Sequence, residues 1–212
     1  MASAEVRIGE QSLADTNFST MRGDKRGQVV IVGGGGSYQE ATYRGRTYSG
    51  ANQGPGGTTT TVGLATTYTG LVLSNPAGSA VNLFLNHVGV APVGAPTALS
   101  TIGLMAGWAT AGTVTHTTPA IAHSNLWNST AGTNGVGLVD AAATLPATPL
   151  LIMSFGSYPI TGATAQVVTP PITGVWYDMN GGVVLTPGGF VAIYTSTVIT
   201  IIGSMHWSEI PA

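Results

Sequence analysis

The chain has 212 residues, a formal net charge of −2 and only 7% charged residues, against about 25% in an ordinary soluble domain. It has no cysteine, which excludes disulfides, thiolate zinc sites, iron–sulfur clusters and cysteine nucleophiles. All six basic residues (Arg7, Arg22, Lys25, Arg26, Arg44 and Arg46) precede Thr47, and of the eight acids only Asp140, Asp178 and Glu209 follow it.

In chain order, residues 1–28 are polar and lack hydrophobic periodicity. They read as an extended arm with one short helical turn over Glu10–Ala14 and a turn at Arg22-Gly-Asp-Lys-Arg-Gly27. Gln28–Val32 is a short β run closed by four glycines, Gly33–Gly36. Gln39–Tyr48 alternates polar, aromatic and basic residues as an exposed strand does, which places Arg44 and Arg46 on one strand face. Asn52–Gly57 reads as a linker, so the expected organisation is an arm over 1–57 and a body over 58–212.

From Thr58 onward, runs rich in Val, Ile, Thr, Leu and Tyr alternate with Gly, Pro, Asn and Ser. This texture predicts strands at Thr69–Ser74, Ala80–Val90, Ile102–Ala109, Leu150–Ser157, Gly174–Asp178, Gly182–Leu185, Gly189–Thr195 and Val198–Trp207. Pro92–Leu99 and Thr110–Thr148 read as long small-residue loops. The 31 glycines and 12 prolines leave little helical periodicity. The expected fold is all-β: an antiparallel β-sandwich or jelly roll with an extended N-terminal arm.

The composition narrows function. A body without lysine or arginine cannot build the basic patch of a nucleic-acid binder. The first 46 residues, six positive against five negative, are too balanced for phosphate binding. No apolar run reaches the roughly 18 residues of a membrane helix, and the N-terminus lacks the apolar core of a secretory signal. The sequons at Asn17 and Asn128 and the Arg22-Gly-Asp24 triplet are therefore expected to be chance matches. A monomer with so little surface charge is prone to associate, so copies of the chain or a large partner are expected to cover much of it.

Motifs for catalysis are absent. Gly33–Gly36 follows a β run, but Tyr38 stands where a dinucleotide loop needs its third glycine. The four histidines (His87, His116, His123, His206) show no metal-ligand spacing, and no G-x-S-x-G elbow exists. On a strand, His206 and Glu209 point to opposite faces. The three body carboxylates lie far apart in sequence, which argues against a glycosidase pair. The chain is expected not to be an enzyme and to need no cofactor or metal. Trp176 and Trp207 fall in predicted strands as core or interface anchors, while Trp127 stands in a polar loop as a possible exposed contact at a tip.

Val184-Leu-Thr-Pro-Gly-Gly-Phe-Val-Ala-Ile193 reads as strand, Pro-Gly turn, strand, and Ser204-Met-His-Trp-Ser-Glu-Ile-Pro211 as a closing strand. Together they resemble the C-terminal hairpin of jelly-roll structural proteins of tailed-phage virions, of the decoration (cement) or knob type. Thr66–Leu83, which leaves a strand at Asn75-Pro76 and returns as an aliphatic strand, is similar to an edge of such proteins. The resemblance covers about a third of the chain, a pattern of turns and strands. It implies a homotrimer on the outer capsid surface of a virion, made in the host cytoplasm, with the major capsid protein as partner. Docking is then expected through Arg22, Asp24, Lys25, Arg26, Arg44 and Arg46 of the arm. The alternative is a tail- or head-fibre module that binds a host surface glycan or receptor.

Overall fold

The computed structural model describes residues 38–52, 57–93, 98–109, 112–120, 122–126, 135–158 and 174–212. The expected arm elements before Tyr38, with Arg22, Asp24, Lys25 and Arg26, and the tip residue Trp127 lie outside them. The described part is a β-sandwich of two antiparallel sheets. One has the order β10 (Val175–Leu185), β4 (Val81–Pro92), β12 (Thr200–Pro211), β1 (Thr47–Ala51), β7 (Ala122–Ser124), with β2 (Thr58–Thr59) also paired to β12. The other runs β6 (Thr115–Ala120), β8 (Leu138–Thr144), β3 (Thr67–Ser74), β11 (Gly189–Thr195), β5 (Ser100–Trp108), β9 (Leu150–Tyr158).

The core lies between the sheets. Alternate residues of β4, β12, β3, β5 and β11 turn inward, among them Leu83, Leu85, Leu71, Leu73, Ile102, Leu104, Ile193 and Trp207, all with no exposed surface. The alternate positions of β3, β5 and β11 are buried as well, Val72, Met105, Phe190 and Ala192 among them, in a second apolar cluster with Tyr68, Val114, Ala143 and Leu145, so these central strands are near-continuous apolar runs covered on both faces. Gly203 faces the interior between the sheets, where a Cβ would press on Leu71 and Ile193.

Segment Gln39–Tyr48 is not the exposed strand its alternation predicts. Gln39–Tyr43 is a short helix, α1. Gly45, at φ +66°, ends it, with its N–H on the Thr42 carbonyl (2.9 Å) and the Arg46 N–H on the Ala41 carbonyl (2.9 Å). That is the paired helix-end geometry that glycine in the left-handed region permits. Arg44 therefore sits in the exit turn and Arg46 just before β1, both exposed, and they do not share a strand face. Strand β1 then pairs with β12 and β7, within the compact unit Tyr38–Ala212.

Two further expectations change. The described residues of the stretch Thr110–Thr148 form three strands, β6, β7 and β8, where a loop was expected. Its alanines and Asp140 are poor strand formers in isolation, but β8 is held between β3 and β6 by register on both sides. Gly174–Asp178 and Gly182–Leu185 are one strand, not two. Both halves pair with β4, and the residues between Asp178 and Val183 bulge out opposite Asn86, with Asn180 and Gly181 at φ +48° and +72°.

The segment Val184–Ile193 is an arch between sheets, not a hairpin: β10 pairs with β4, whereas β11 pairs with β3 and β5. The Asn75-Pro76 turn is a second arch, from β3 to β4. Asn75 ties the two together. Its N–H donates to the Gly189 carbonyl (2.8 Å), and its carbonyl accepts from Gly188 (2.9 Å). Its side-chain amide donates to the Val81 (2.8 Å) and Leu185 (2.9 Å) carbonyls. A buried asparagine satisfied on so many sides fixes both corners at once.

Candidate functional site

The outer face of the β10–β4–β12–β1–β7 sheet carries the densest polar and aromatic group among the described residues. Antiparallel register places Asp178 opposite His87, His87 opposite His206, His206 opposite Ser49, and Ser49 opposite His123. One row crosses five strands and collects three of the four histidines. His87 Nδ1 lies 3.5 Å from Asp178 Oδ1. His206 Nδ1 and Ser49 Oγ are 3.0 Å apart, and Ser49 Oγ also donates to Asn125 Oδ1. Burial, and then the neighbouring His87, holds the His206 imidazole below the usual histidine range.

Two residues along, the next row is Trp176, Gly89 and Ser204. A Cβ on Gly89 would meet Trp176 Cε3 at 3.0 Å and Ser204 Oγ at 2.8 Å. Glycine at 89 thus leaves room for the indole to lie close over β4. The ring stacks beside His87 (centroids 5.1 Å, planes 25° apart) and stands edge-on to His206 (5.5 Å, 68°), yet Trp176 remains 58% exposed. Tyr38, leading into α1, packs edge-on against His87 (5.2 Å). Its hydroxyl donates to Asn180 Oδ1 (3.2 Å) and Asp178 Oδ1 (3.4 Å). A shallow hollow of about 340 Å³ opens beside the indole, lined by Gly89, Ala91, Trp176, Ile202 and Ser204.

Asp140 and Glu209, the other two carboxylates after Thr47, are buried. Glu209 accepts from the N–H groups of Val136 (3.0 Å) and Gly137 (2.9 Å) and from the Trp207 indole (3.1 Å). It faces inward and His206 outward, as strand alternation requires. Asp140 is held by His116 Nδ1 at 2.6 Å; burial nonetheless raises its pKa, against the lowering effect of His116. His116 of that pair lines a hollow of about 370 Å³ whose described lining has no serine or threonine. Among the described residues no three His, Asp or Glu side chains converge as metal ligands.

Of the two tryptophans expected as anchors, Trp207 is core, stacked on Tyr48, and Trp176 is the exposed platform. The row itself leaves no local trace in sequence, because its members come from five strands. One signal was present: Trp176 and Asp178 at alternate positions of the expected strand Gly174–Asp178, which puts them on one face. The chain matches no protein-family model, no curated protein and no solved structure in comparisons with each.

Proposed function

We propose that the chain is a virion structural protein, a capsid decoration protein whose β body associates as a homotrimer. The observation that carries this reading is the state of the body's charges. Of the three charged side chains after Arg46, Asp140 and Glu209 are buried, and Asp178 alone is exposed. Large apolar side chains meanwhile stand in solvent, most densely on β9, where Leu150 is 72% and Leu151 and Ile152 are each 45% exposed.

Strand β9 ends its sheet, with no further partner strand among the described residues. A long apolar edge is a template for pairing with another chain, and neutral contacts of this kind need burial and backbone pairing rather than ion pairs. Cyclic symmetry closes such contacts without open growth. In this reading Arg22, Asp24, Lys25, Arg26, Arg44 and Arg46 engage the shell, and three arms per trimer add their weak contacts into tight docking. Of the resemblance to phage decoration proteins, the closing strand and the Asn75-Pro76 edge still support the same assignment, whereas Val184–Ile193 is an arch and not the hairpin that resemblance implies.

Copy number tests it. In purified particles that contain the chain, a decoration protein is expected in stoichiometric proportion to the major shell protein on a stained gel. A trace band beside a strong shell band would place the chain on a tail or fibre instead.

A further inference from the structure

We infer that the outer face around Trp176 is a binding site for a neutral saccharide, seated on the indole and hydrogen-bonded by Asp178 and Asn180. This stands apart from the assembly reading and does not depend on it. The first argument is shape. Space left by Gly89 lets the indole lie close over β4 while it stays more than half exposed, and a hollow of about 340 Å³, lined by Ser204, Ala91 and Ile202 but not by Asp178 or Asn180, adjoins it. That is the lower end of small-ligand sites, roughly 300–1,000 Å³. An open indole face offers a stacking surface for the apolar C–H face of a pyranose ring.

The second argument is the polar rim. Asp178, half exposed, follows Trp176 at the alternate position of β10 and so shares its face, and Asn180, in the bulge, is held beside it by donating its own N–H to Asp178 Oδ1 (2.9 Å). A carboxylate beside an amide suits paired hydroxyls, and hydrogen bonds to a charged acceptor are the strong ones. Tyr38 bridges the two from the α1 side, which fixes their positions before a ligand arrives. On the other flank Ser204 and the His206–Ser49 pair supply further donors and acceptors.

The third argument is charge. The five strands of this face contain no lysine or arginine, so nothing on them clamps a phosphate, sulfate or carboxylate, and Asp178 repels one. A second copy of the chain is the weaker occupant, since protein interfaces are depleted in Asp and Ser at their centres, and these residues surround the indole. The apolar edge suited to self-association, β9, belongs to the other sheet.

The test uses the full chain and a panel of neutral hexasaccharides (of glucose, mannose and N-acetylglucosamine), with oligogalacturonate as the acidic control. Binding is read by tryptophan fluorescence and by calorimetry. At least one neutral hexasaccharide is expected to bind saturably, and Trp176→Ala to weaken it about tenfold or more, as loss of a central tryptophan anchor does. Asp178→Ala is expected to weaken the same binding, while Trp108→Ala, at the other well-exposed tryptophan among the described residues, leaves it unchanged. Circular dichroism confirms that each variant is folded, and should Trp176→Ala not fold, Asp178→Ala carries the test alone. Binding of none of the neutral sugars, binding of the acidic control alone, or neutral-sugar binding indifferent to both site substitutions overturns the proposal.

Discussion

At the residue scale the body keeps most of its few charges out of water, and each buried one is tied to a specific partner. Glu209 holds the end of β12 to the start of β8 by accepting three N–H groups. Glu209→Gln replaces one acceptor oxygen with a donor that faces other donors. It is expected to lower stability by about 1–3 kcal/mol, the cost of a buried polar group left unpaired, measured as a shift in the urea midpoint. His206 gives a pH dependence of known sign. Its folded-state pKa lies below the unfolded value of about 6.5, so the unfolded chain takes the proton more readily. The stability it contributes is complete above about pH 6.5 and is lost as pH falls through the folded value. His206→Gln is expected to flatten the loss of melting temperature between about pH 7 and 5; an unchanged slope would assign that loss to other groups.

At the scale of elements, legibility followed local pattern. Strands β3, β4, β5, β9, β11 and β12 are long runs of aliphatic and β-branched residues, and such runs alone place them. Strand β8 was hidden because Ala141, Ala142 and Ala143 lack intrinsic strand preference, and only partners on both sides make them a strand. Strand β6 carries Pro119, which marks an edge strand and also makes a loop the simpler reading. The α1 segment imitated strand alternation, although Gly45 stood at the correct place to end a helix. The His87–His206–Ser49 row was illegible for a different reason: cross-strand register depends on bulges such as the one at Asn86, which no local spacing encodes. The element most exposed to test is β9. Changing both Leu150 and Ile152 to Glu is expected to give a monomer in sedimentation velocity with an almost unchanged melting temperature. Exposed positions usually shift stability by no more than about 0.5 kcal/mol. Retention of the oligomer by this variant would move the contact to another surface.

At the scale of the whole molecule, one property unites the sequence and the fold. The chain gathers its basic residues before Thr47 and leaves a β-sandwich whose surface has a single charged side chain after Arg46. Such a surface gives little mutual repulsion between copies and few ion pairs for salt to screen. Self-association through the body is the central claim, and the molar mass in solution tests it most directly. Light scattering on the purified chain at micromolar concentration is expected to return the mass of a trimer, with the same value at about 0.05 M and 0.5 M salt. A stable monomer at both salt concentrations would contradict the account.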